Sequence, residues 1–383
     1  MLTDLATGLA GDYCVTVITS RELYNDPVAR LKLRDEHLGV DILRLNTTRL
    51  GRARLWRRAF DYLTFYLGVI WWLARYVKPG DVVVLMTDPP LLQLLNTSII
   101  RIKGGKVINW LQDLFPEIAQ RLGAFPGPGC LARLIASWRD RALRTAQLNV
   151  VISARMKEYL AGRGVNNTQL IPNWSNEELI TPLAHADNPL RQEWGLTDKF
   201  TVGYSGNFGR AHGFAEIIEA MTLLSSHPEI HFLFIGEGAA LEQLTADIEK
   251  QGLTNASFKP YQPRDALRYS LGVIDLHLVS LQAGMEGLVL PSKLYGVLAA
   301  GRPVAFIGDK DGDIAKLVAA EGIGFVIEHG DAAGLAEKII GVCRDAVLQH
   351  RLQVRSRQVF DRSYSRSIGT NSWKQCLSGL GQS

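Results

Sequence analysis

The sequence predicts an α/β protein of two domains, each built on a parallel sheet, and three observations support this prediction. The chain has 383 residues, which exceeds the length at which a single hydrophobic core usually stops growing. Short β-branched runs alternate with longer helical patterns, as is typical of parallel strands joined by crossover helices. This alternation loosens once, over residues 173–195, and then resumes, which indicates a second sheet.

The pattern places the first domain at 1–174, a linker at 175–198 and the second domain at 199–355. C-terminal helices over 356–383 are expected to return to the first domain, because apolar residues recur there at helical spacing. Strands are predicted at 15–18, 82–85, 107–110, 149–152, 200–204, 231–235, 256–258, 276–279, 303–307 and 324–327. The chain opens with a helix start at Thr3 and Asp4, whereas a doubly wound domain normally begins with a strand, so we expect the first strand to be missing.

Composition and charge exclude several classes of protein. The 42 Lys and Arg residues nearly balance the 38 Asp and Glu residues, so a dedicated nucleic-acid binder is not expected. The four cysteines have no CxxC spacing, which argues against a zinc site or a disulfide framework. No secretory signal is evident, and the apolar run 62–74 is too short to cross a bilayer, so we expect a cytoplasmic protein with a buried or interfacial helix there.

The most informative segment is YSGNFGRAHGF, residues 204–214, between a predicted strand and a predicted helix. Glycines in such a loop let backbone N–H groups approach an anion, and the following helix start adds partial positive charge. Arg210 offers a forked donor suited to diphosphate oxygens. A tight turn with a solvated arginine is the alternative interpretation of this segment alone.

A second loop supports the phosphate interpretation. Residues 285–304 contain a helix start at Pro291 or Ser292, where the Ser292 hydroxyl and the Lys293 ammonium could converge on one phosphate. Glu286 comes just before this loop, where a carboxylate could accept hydrogen bonds from sugar hydroxyls or stabilise charge at the anomeric carbon.

Together these segments resemble the GT-B glycosyltransferases of the retaining family 4 group, in particular the bacterial branch that builds cell-surface polysaccharides. The resemblance covers nearly the whole chain. It rests on the segments MTDPPLL (86–92), NWLQDLFPE (109–117), IPNWS (171–175), YSGNFGRAHGF (204–214), FLFIGEG (232–238) and GLVLPSKLYGVLAAGRPV (287–304).

The resemblance implies two Rossmann-like domains facing a cleft, with a nucleotide-sugar in the second domain, an acceptor in the first and no metal or other cofactor. It assigns the catalytic role to Glu286 and Asp113 and places Asp88 on the acceptor side. The donor-binding residues it implies are Gly206, Asn207, Gly209, Arg210, His212, Gly236, Gly287, Leu290, Pro291, Ser292 and Lys293.

Two departures from the family pattern affect the predicted site. Asn207 and His212 occupy the two positions that are usually basic, so Arg210 and Lys293 would carry most of the diphosphate charge. The second glutamate of the family's paired motif, which usually binds the ribose, falls at Gly296, and this puts the ribose contact in doubt.

Other signals favour simpler explanations. Asp309, Asp311 and Asp313 form Asp-x-Asp spacing, but an Asp-Gly turn with Asp313 capping a helix is favoured over a metal site. No G-x-S-x-G or HExxH motif supports a hydrolase.

A basic stretch over 44–58 runs directly into an aromatic helix. This order is typical of enzymes that meet an anionic membrane surface, so a peripheral position on the inner face of the cell membrane stands beside a solvated basic loop as an interpretation.

The expected function is sugar transfer from a UDP-linked donor to a lipid-linked saccharide in cell-surface polysaccharide biosynthesis. A nucleotide-sugar 2-epimerase, which would consume the donor without an acceptor, is one alternative. A catalytically weakened subunit of an assembly complex, suggested by Gly296 and the missing strand, is the other.

Overall fold

The structure, a computed structural model, describes residues 1–22, 31–48, 55–125 and 127–381 and divides the chain into two compact units. The first unit comprises Met1–Ile171 together with Thr370–Ser383, and the second comprises Pro172–Gly369. Each unit contains a parallel sheet with helices between its strands, which confirms the predicted α/β class.

The first unit contains four sheet-forming strands with crossover helices, preceded by a smaller sheet. In chain order its elements are α1 (Leu2–Leu9), β1 (Val15–Ser20), β2 (Arg34–His37), β3 (Val40–Leu45), α2 (Leu55–Tyr76), β4 (Val82–Met86), α3 (Gln93–Ile102), β5 (Lys106–Leu111), α4 (Glu117–Arg121), α5 (Gly129–Thr145), β6 (Leu148–Val151), α6 (Ala154–Ala161) and β7 (Thr168–Leu170). The larger sheet has the order β4-β5-β6-β7 and is entirely parallel.

The smaller sheet of this unit has the order β1-β3-β2. Its β1 and β3 run parallel, whereas β2 pairs antiparallel with β3. Neither β2 nor β3 was predicted. Arg44, which the sequence assigned to a basic loop, lies in β3 and forms an ion pair with Asp35 at 3.2 Å, so this arginine is already neutralised by its own sheet.

Helix α2 covers one face of the first unit. Val69, Leu73 and Val77 are buried in a core that also contains Leu85 of β4 and Ile100 of α3. The apolar run 62–74 therefore forms a helix that is packed on one side, as expected. Among the described residues, no helix is long and apolar enough to cross a membrane.

The last helix, α15 (Arg366–Gly381), enters the first unit at Thr370, so only part of the predicted range 356–383 belongs to that unit. Its Trp373 is fully buried and packs edge-on against Trp110 of β5, with ring centroids 5.1 Å apart. Cys376 and Leu380 follow on the same side and are also buried.

The second unit is built on a six-stranded parallel sheet with the order β10-β9-β8-β11-β12-β13. The strand order reverses between β8 and β11, and in doubly wound folds the crevice at such a switch point binds ligands. Its elements are α7 (Pro189–Glu193), β8 (Phe200–Ser205), α8 (Ala215–Leu223), β9 (Ile230–Ile235), α9 (Leu241–Lys250), β10 (Ala256–Lys259), α10 (Leu267–Gly272), β11 (Leu276–Ser280), α11 (Lys293–Ala299), β12 (Val304–Ile307), α12 (Asp313–Glu321), β13 (Gly324–Ile327), α13 (Ala332–Arg344) and α14 (Ala346–Ser363).

The segment 175–198, predicted as a linker, packs within the second unit. Arg191 of α7 donates hydrogen bonds to the Val273 carbonyl at 2.9 Å and to the Asp275 carboxylate at 3.2 Å. The same carboxylate accepts a hydrogen bond from the Thr201 backbone N–H at 2.8 Å, at the start of β8. A buried charge held in this way ties the segment to the sheet.

Candidate functional site

The carboxyl ends of β8 and β11 are neighbours at the switch point of the second sheet. The loop after β8 is the glycine segment 206–214, and the loop after β11 contains Glu286 and leads to Lys293 at the start of α11. The structure therefore brings the two predicted phosphate-binding loops of the second unit to the same edge of one sheet.

Glycines allow the backbones of the β8 and β9 loops to approach each other closely. Gly206 has φ +136°, and a Cβ atom on Gly236, whose φ is +134°, would lie 2.1 Å from the Gly206 carbonyl oxygen. The contact continues at Phe208, whose N–H donates to the Glu237 carbonyl at 2.8 Å and whose carbonyl accepts from the Ala240 N–H at 2.9 Å. Gly236 thus contacts the predicted donor loop, and its lack of a side chain makes this approach possible.

Lys293 reaches the same loop from α11. Its Nζ lies 3.8 Å from the position that a Cβ atom on Gly206 would occupy, and 3.3 Å from the centroid of the Tyr204 ring. The ammonium is buried and has no hydrogen-bond acceptor within the described parts of the chain. Burial lowers the pKa of Lys293 well below its usual range. A buried cation that contacts a ring face and no acceptor of the described residues is suited to receive an anion.

His212 joins the two loops. Its Nδ1 lies 2.6 Å from the Ser280 carbonyl oxygen at the end of β11, so this nitrogen carries the proton and donates. Burial lowers the pKa of His212 to about 4, and the charge of Lys293 acts in the same direction. The imidazole is therefore neutral at pH 7, and its other ring nitrogen is an acceptor, which suits a sugar hydroxyl better than a phosphate oxygen.

The remaining residues of the β8 loop differ in exposure. Arg210 and Asn207 are exposed, and the Arg210 guanidinium has no ion pair or hydrogen bond to any described residue. The Asn207 carbonyl accepts a hydrogen bond from the Tyr204 hydroxyl at 2.8 Å. Gly209 lies beside both Asn207 and His212, where a Cβ atom would be 3.4 Å from Asn207 Nδ2. Arg210 is therefore available to an incoming anion, and its role in donor binding stays a prediction.

Glu286 is held in the loop that follows β11. Both of its carboxylate oxygens are buried, and they lie against Gly312, where a Cβ atom would be 2.2 Å from Glu286 Oε1. Gly287 follows with φ +75°, a left-handed conformation that favours glycine. Leu290 and Pro291 are buried, whereas Ser292 is exposed at the position before α11.

Gly296 packs on apolar side chains of its own unit. A Cβ atom at this position would meet Leu271 Cδ1 at 3.3 Å and Ile180 Cδ1 at 3.9 Å. The position that corresponds to the family's second glutamate therefore adjoins two aliphatic side chains, and the predicted loss of the ribose contact stays a prediction.

Asp113 and Asp88 lie together in the first unit, after β5 and β4. Burial raises the pKa of Asp113 to about 6, a hydrogen bond from Thr87 opposes the shift, and the charge of Asp88 adds to it. Asp88 itself is exposed. Two carboxylates at neighbouring strand ends, one of them titrating near neutrality, form a second polar group that is suited to contact hydroxyls.

Arg139 of α5 stabilises the chain just beyond Asp113, and no pattern in the sequence indicated this role. Its guanidinium is 1 % exposed; it donates to the Phe115 carbonyl at 3.0 Å and pairs with the carboxylates of Glu117 and Asp140. Tyr159 donates a further hydrogen bond to Glu117 at 3.1 Å. These contacts fix the turn that follows Asp113, but the partners are spread over three elements, so spacing alone could not reveal them.

Within the described ranges, no three His, Cys, Asp or Glu side chains are grouped as a metal site. The aspartates of 309–313 form a turn instead: Asp309 Oδ1 accepts a hydrogen bond from the Asp311 N–H at 2.9 Å. The helix that follows, α12, begins at Asp313 with Gly312 at its N-cap, one residue earlier than predicted.

Comparison with known proteins shows what this chain is similar to. Residues 187–359 match the family model described as glycosyl transferases group 1, and this range lies within the second unit. WbjE of Pseudomonas aeruginosa, named as a glycosyltransferase, is 28% identical over 80% of this chain and 77% of its own length. WcaI of Escherichia coli K12, whose name assigns it to colanic acid biosynthesis, is 29% identical over 69% of this chain and 66% of its own length.

Solved structures share the fold. A sucrose-phosphate synthase from Thermosynechococcus elongatus superposes with a TM-score of 0.78 at 19% identity, covering 100% of this chain and 92% of that one. Anabaena HepE, solved in complex with UDP and glucose, superposes with a TM-score of 0.73 at 16% identity, covering 99% and 95%. The chain therefore has the fold of the GT-B glycosyltransferases, and residues 187–359 of its second unit match the glycosyl transferases group 1 model.

Proposed function

We propose that this enzyme transfers a sugar from a UDP-linked donor to a lipid-linked saccharide during cell-surface polysaccharide synthesis, with retention at the anomeric carbon and without a metal ion. One observation carries the donor assignment. The buried ammonium of Lys293 lies beside Gly206 at the switch point and has no hydrogen-bond acceptor among the described residues. A diphosphate would supply the missing acceptors and the missing negative charge.

The candidate residues of the second unit are proposed to bind different parts of the donor. Arg210 and Lys293 offset the charge on the departing diphosphate, while Glu286 orients the sugar, and the neutral His212 accepts a hydrogen bond from a sugar hydroxyl. The uracil base is proposed because HepE, which shares the fold, was solved with UDP. Asp113 and Asp88 are proposed to contact the acceptor on the first unit.

Binding of the donor is tested by thermal shift and calorimetry with UDP-, GDP- and ADP-sugars, because a ligand that binds only the native state raises its melting temperature. We expect the UDP-sugars to give the largest shift, and an equal result after EDTA treatment. Absence of a shift with every donor would refute the proposed donor site and favour a weakened assembly subunit.

Turnover separates transfer from epimerisation. Incubation with a UDP-sugar alone should leave the donor's C2 configuration intact, whereas addition of a lipid-linked saccharide should release UDP. Nuclear magnetic resonance of the product reports the anomeric configuration, and inversion would contradict the proposed retaining course. Conversion of the donor in the absence of any acceptor would favour the 2-epimerase alternative.

An anionic membrane surface is proposed as the location of the acceptor. Helix α3 packs against both α2 and α5, and each of these three helices exposes large apolar side chains. These exposed side chains are Phe60, Leu63, Leu67, Trp71 and Tyr76 on α2, Leu95 and Ile102 on α3, and Leu131, Leu134 and Trp138 on α5. An apolar face of this size suits the interfacial zone of a bilayer.

The charges on these helices favour anionic lipid. The sequences of α2, α3 and α5 contain eight arginines and two aspartates. Of the aspartates, Asp140 is buried against Arg139, and Asp61 accepts a hydrogen bond from the Thr48 hydroxyl at 2.7 Å. The exposed Arg75, Arg101, Arg133 and Arg141 therefore dominate this side of the first unit.

Sedimentation with liposomes tests the membrane proposal. The protein should bind anionic vesicles at low salt and dissociate as salt rises, because each basic residue near the surface contributes about 1 kcal/mol. Replacing Leu67, Trp71 and Trp138 with Ser should abolish most binding. The matched control replaces Val347 and Val354, exposed on α14 of the second unit, and should bind normally. Equal binding by the triple variant would refute the proposed face.

The basic stretch that first suggested membrane contact gives a second variant. Arg49, Arg52 and Arg54 lie outside the described residues, as does the side chain of Arg58. Replacing Arg52, Arg54, Arg57 and Arg58 with Gln should weaken sedimentation without impairing donor binding, because the donor site is assigned to the second unit. Unchanged sedimentation would mean that these arginines are solvated and do not contact the membrane.

A further inference from the structure

The turn between β12 and α12 brings Gly312 against the carboxylate of Glu286. Within this turn the Gly312 N–H donates to the Asp309 carbonyl at 3.0 Å, and Asp309 Oδ1 accepts from the Asp311 N–H at 2.9 Å. The Lys316 N–H then donates to the Gly312 carbonyl at 3.0 Å in the first turn of α12. Hydrogen bonds therefore hold both the N–H and the carbonyl of Gly312.

The carboxylate occupies the space that a side chain at position 312 would need. A Cβ atom built on Gly312 would lie 2.2 Å from Glu286 Oε1, 2.5 Å from its Cδ and 2.8 Å from its Oε2. All three distances are shorter than a van der Waals contact. The backbone of Gly312, at φ −68° and ψ 162°, is one that any residue adopts, so the contact with Glu286 is what requires glycine here.

The position also suits a negative charge. Gly312 is the N-cap of α12, and the first backbone N–H groups of a helix carry partial positive charge. Both carboxylate oxygens of Glu286 are buried, so water screens the dipole of α12 from them only weakly. The end of α12 thus provides both a steric wall and a favourable field for this carboxylate.

We propose that Gly312 is a positioning residue for sugar transfer: its bare Cα, at the start of α12, sets the place of the Glu286 carboxylate. This inference rests on the proposed role of Glu286 in orienting the donor sugar. A methyl group at position 312 would displace the carboxylate by about an ångström, and a displacement of that size at a reacting centre costs up to about a hundredfold in rate.

The test is a double-mutant cycle with Gly312→Ala and Glu286→Ala. We expect Gly312→Ala alone to lower kcat by tenfold or more with an unchanged Kd for UDP, because UDP lacks the sugar. In the Glu286→Ala background, Gly312→Ala should cost no further activity, since the carboxylate is already absent. Gly341→Ala is the matched control, because a Cβ atom at that helical position meets nothing within 4 Å.

Melting temperatures complete the cycle. If Gly312→Ala destabilises the protein through the clash, the double variant should melt at the temperature of Glu286→Ala, since the clashing group is gone. Full activity of Gly312→Ala, or an equal further loss in the Glu286→Ala background, would overturn the positioning role while leaving Glu286 in place. Full activity of Glu286→Ala would overturn both this inference and the proposed role of Glu286.

Discussion

Replacing Lys293 with Met should make the free protein more stable and at the same time weaken nucleotide binding. The Lys293 ammonium is buried over the Tyr204 ring, and no described residue accepts a hydrogen bond from it. Met fills a similar volume without a charge. The variant therefore removes an uncompensated cation from the free protein. In the complex it removes a hydrogen-bond donor to the diphosphate.

The two effects have opposite signs and comparable sizes. A buried donor without a partner costs about 1–3 kcal/mol, so the free energy of unfolding should rise by about that amount, less what the cation–π contact contributes. A charge-assisted hydrogen bond contributes about 1.5–3 kcal/mol, so the Kd for UDP should rise roughly 10- to 150-fold. Binding of uridine, which lacks phosphate, should hardly change.

The stability gain should depend on pH. Burial lowers the pKa of Lys293 from its usual value, so between the lowered value and 10.5 the unfolded chain binds more protons than the folded protein. Stability of the wild type therefore rises with pH across that window, and its difference from Lys293→Met shrinks. Urea denaturation at several pH values measures this difference.

Lys259→Met is the matched control for this prediction. Its Nζ also lies over an aromatic ring, 5.2 Å from the centroid of Trp194, but it belongs to the edge strand β10 and not to the switch point. This variant should leave UDP binding unchanged. A Lys293→Met protein that is less stable than the wild type and binds UDP normally would show that the lysine is structural, and the phosphate site would be lost.

Three further variants test the other site residues. Arg210→Ala should weaken UDP binding about tenfold at low salt and less at high salt, because its charge is exposed and screened; a salt-independent loss measured by calorimetry would contradict this. Glu286→Gln should lower turnover more than tenfold with little change in UDP affinity, whereas wild-type turnover would remove its catalytic role. Asp113→Asn should abolish the loss of kcat/KM below about pH 6, since burial raises the pKa of Asp113 to about 6. The protonated Asp113 carboxyl favours the folded state below the unfolded pKa of 3.8, and this contribution to stability is lost as pH rises through about 6. The Asp113→Asn protein should therefore gain stability relative to the wild type between these two pH values. Parallel stability–pH profiles for the two proteins would refute the assignment.

The second unit could be predicted closely because its strands are buried on both faces. All residues of β11 and β12 are buried, β12 is a continuous apolar run, and helical periods separate the strands, so type and order follow from the pattern. The strands β2 and β3 escaped prediction for a physical reason. All four residues of β2 are exposed, so this strand has no apolar alternation to mark it.

The candidate site, like the fold, could be predicted from the sequence only in part. Glycine loops after strands predict an anion site from the sequence alone, and Lys293 and Arg210 became candidate residues through these loops. The contact of Lys293 with Tyr204 joins two elements far apart in the chain, and its burial depends on packing that no local pattern records. In the sequence Gly312 stood out only as part of a turn. Its closeness to Glu286 is possible because it lacks a side chain, and no sequence pattern shows that.

The hydrogen bonds of Phe208 have a consequence for the kinetics of binding. Through its N–H and its carbonyl, this residue fastens the loop after β8 to the loop after β9, so the protein's own backbone sets the loop conformation. Binding to a loop that is already ordered requires no slow loop-ordering step. The observed association rate for UDP should therefore increase linearly with its concentration, without a plateau in stopped-flow experiments. Donors that differ in their sugar should then be distinguished by how quickly they leave rather than by how quickly they arrive.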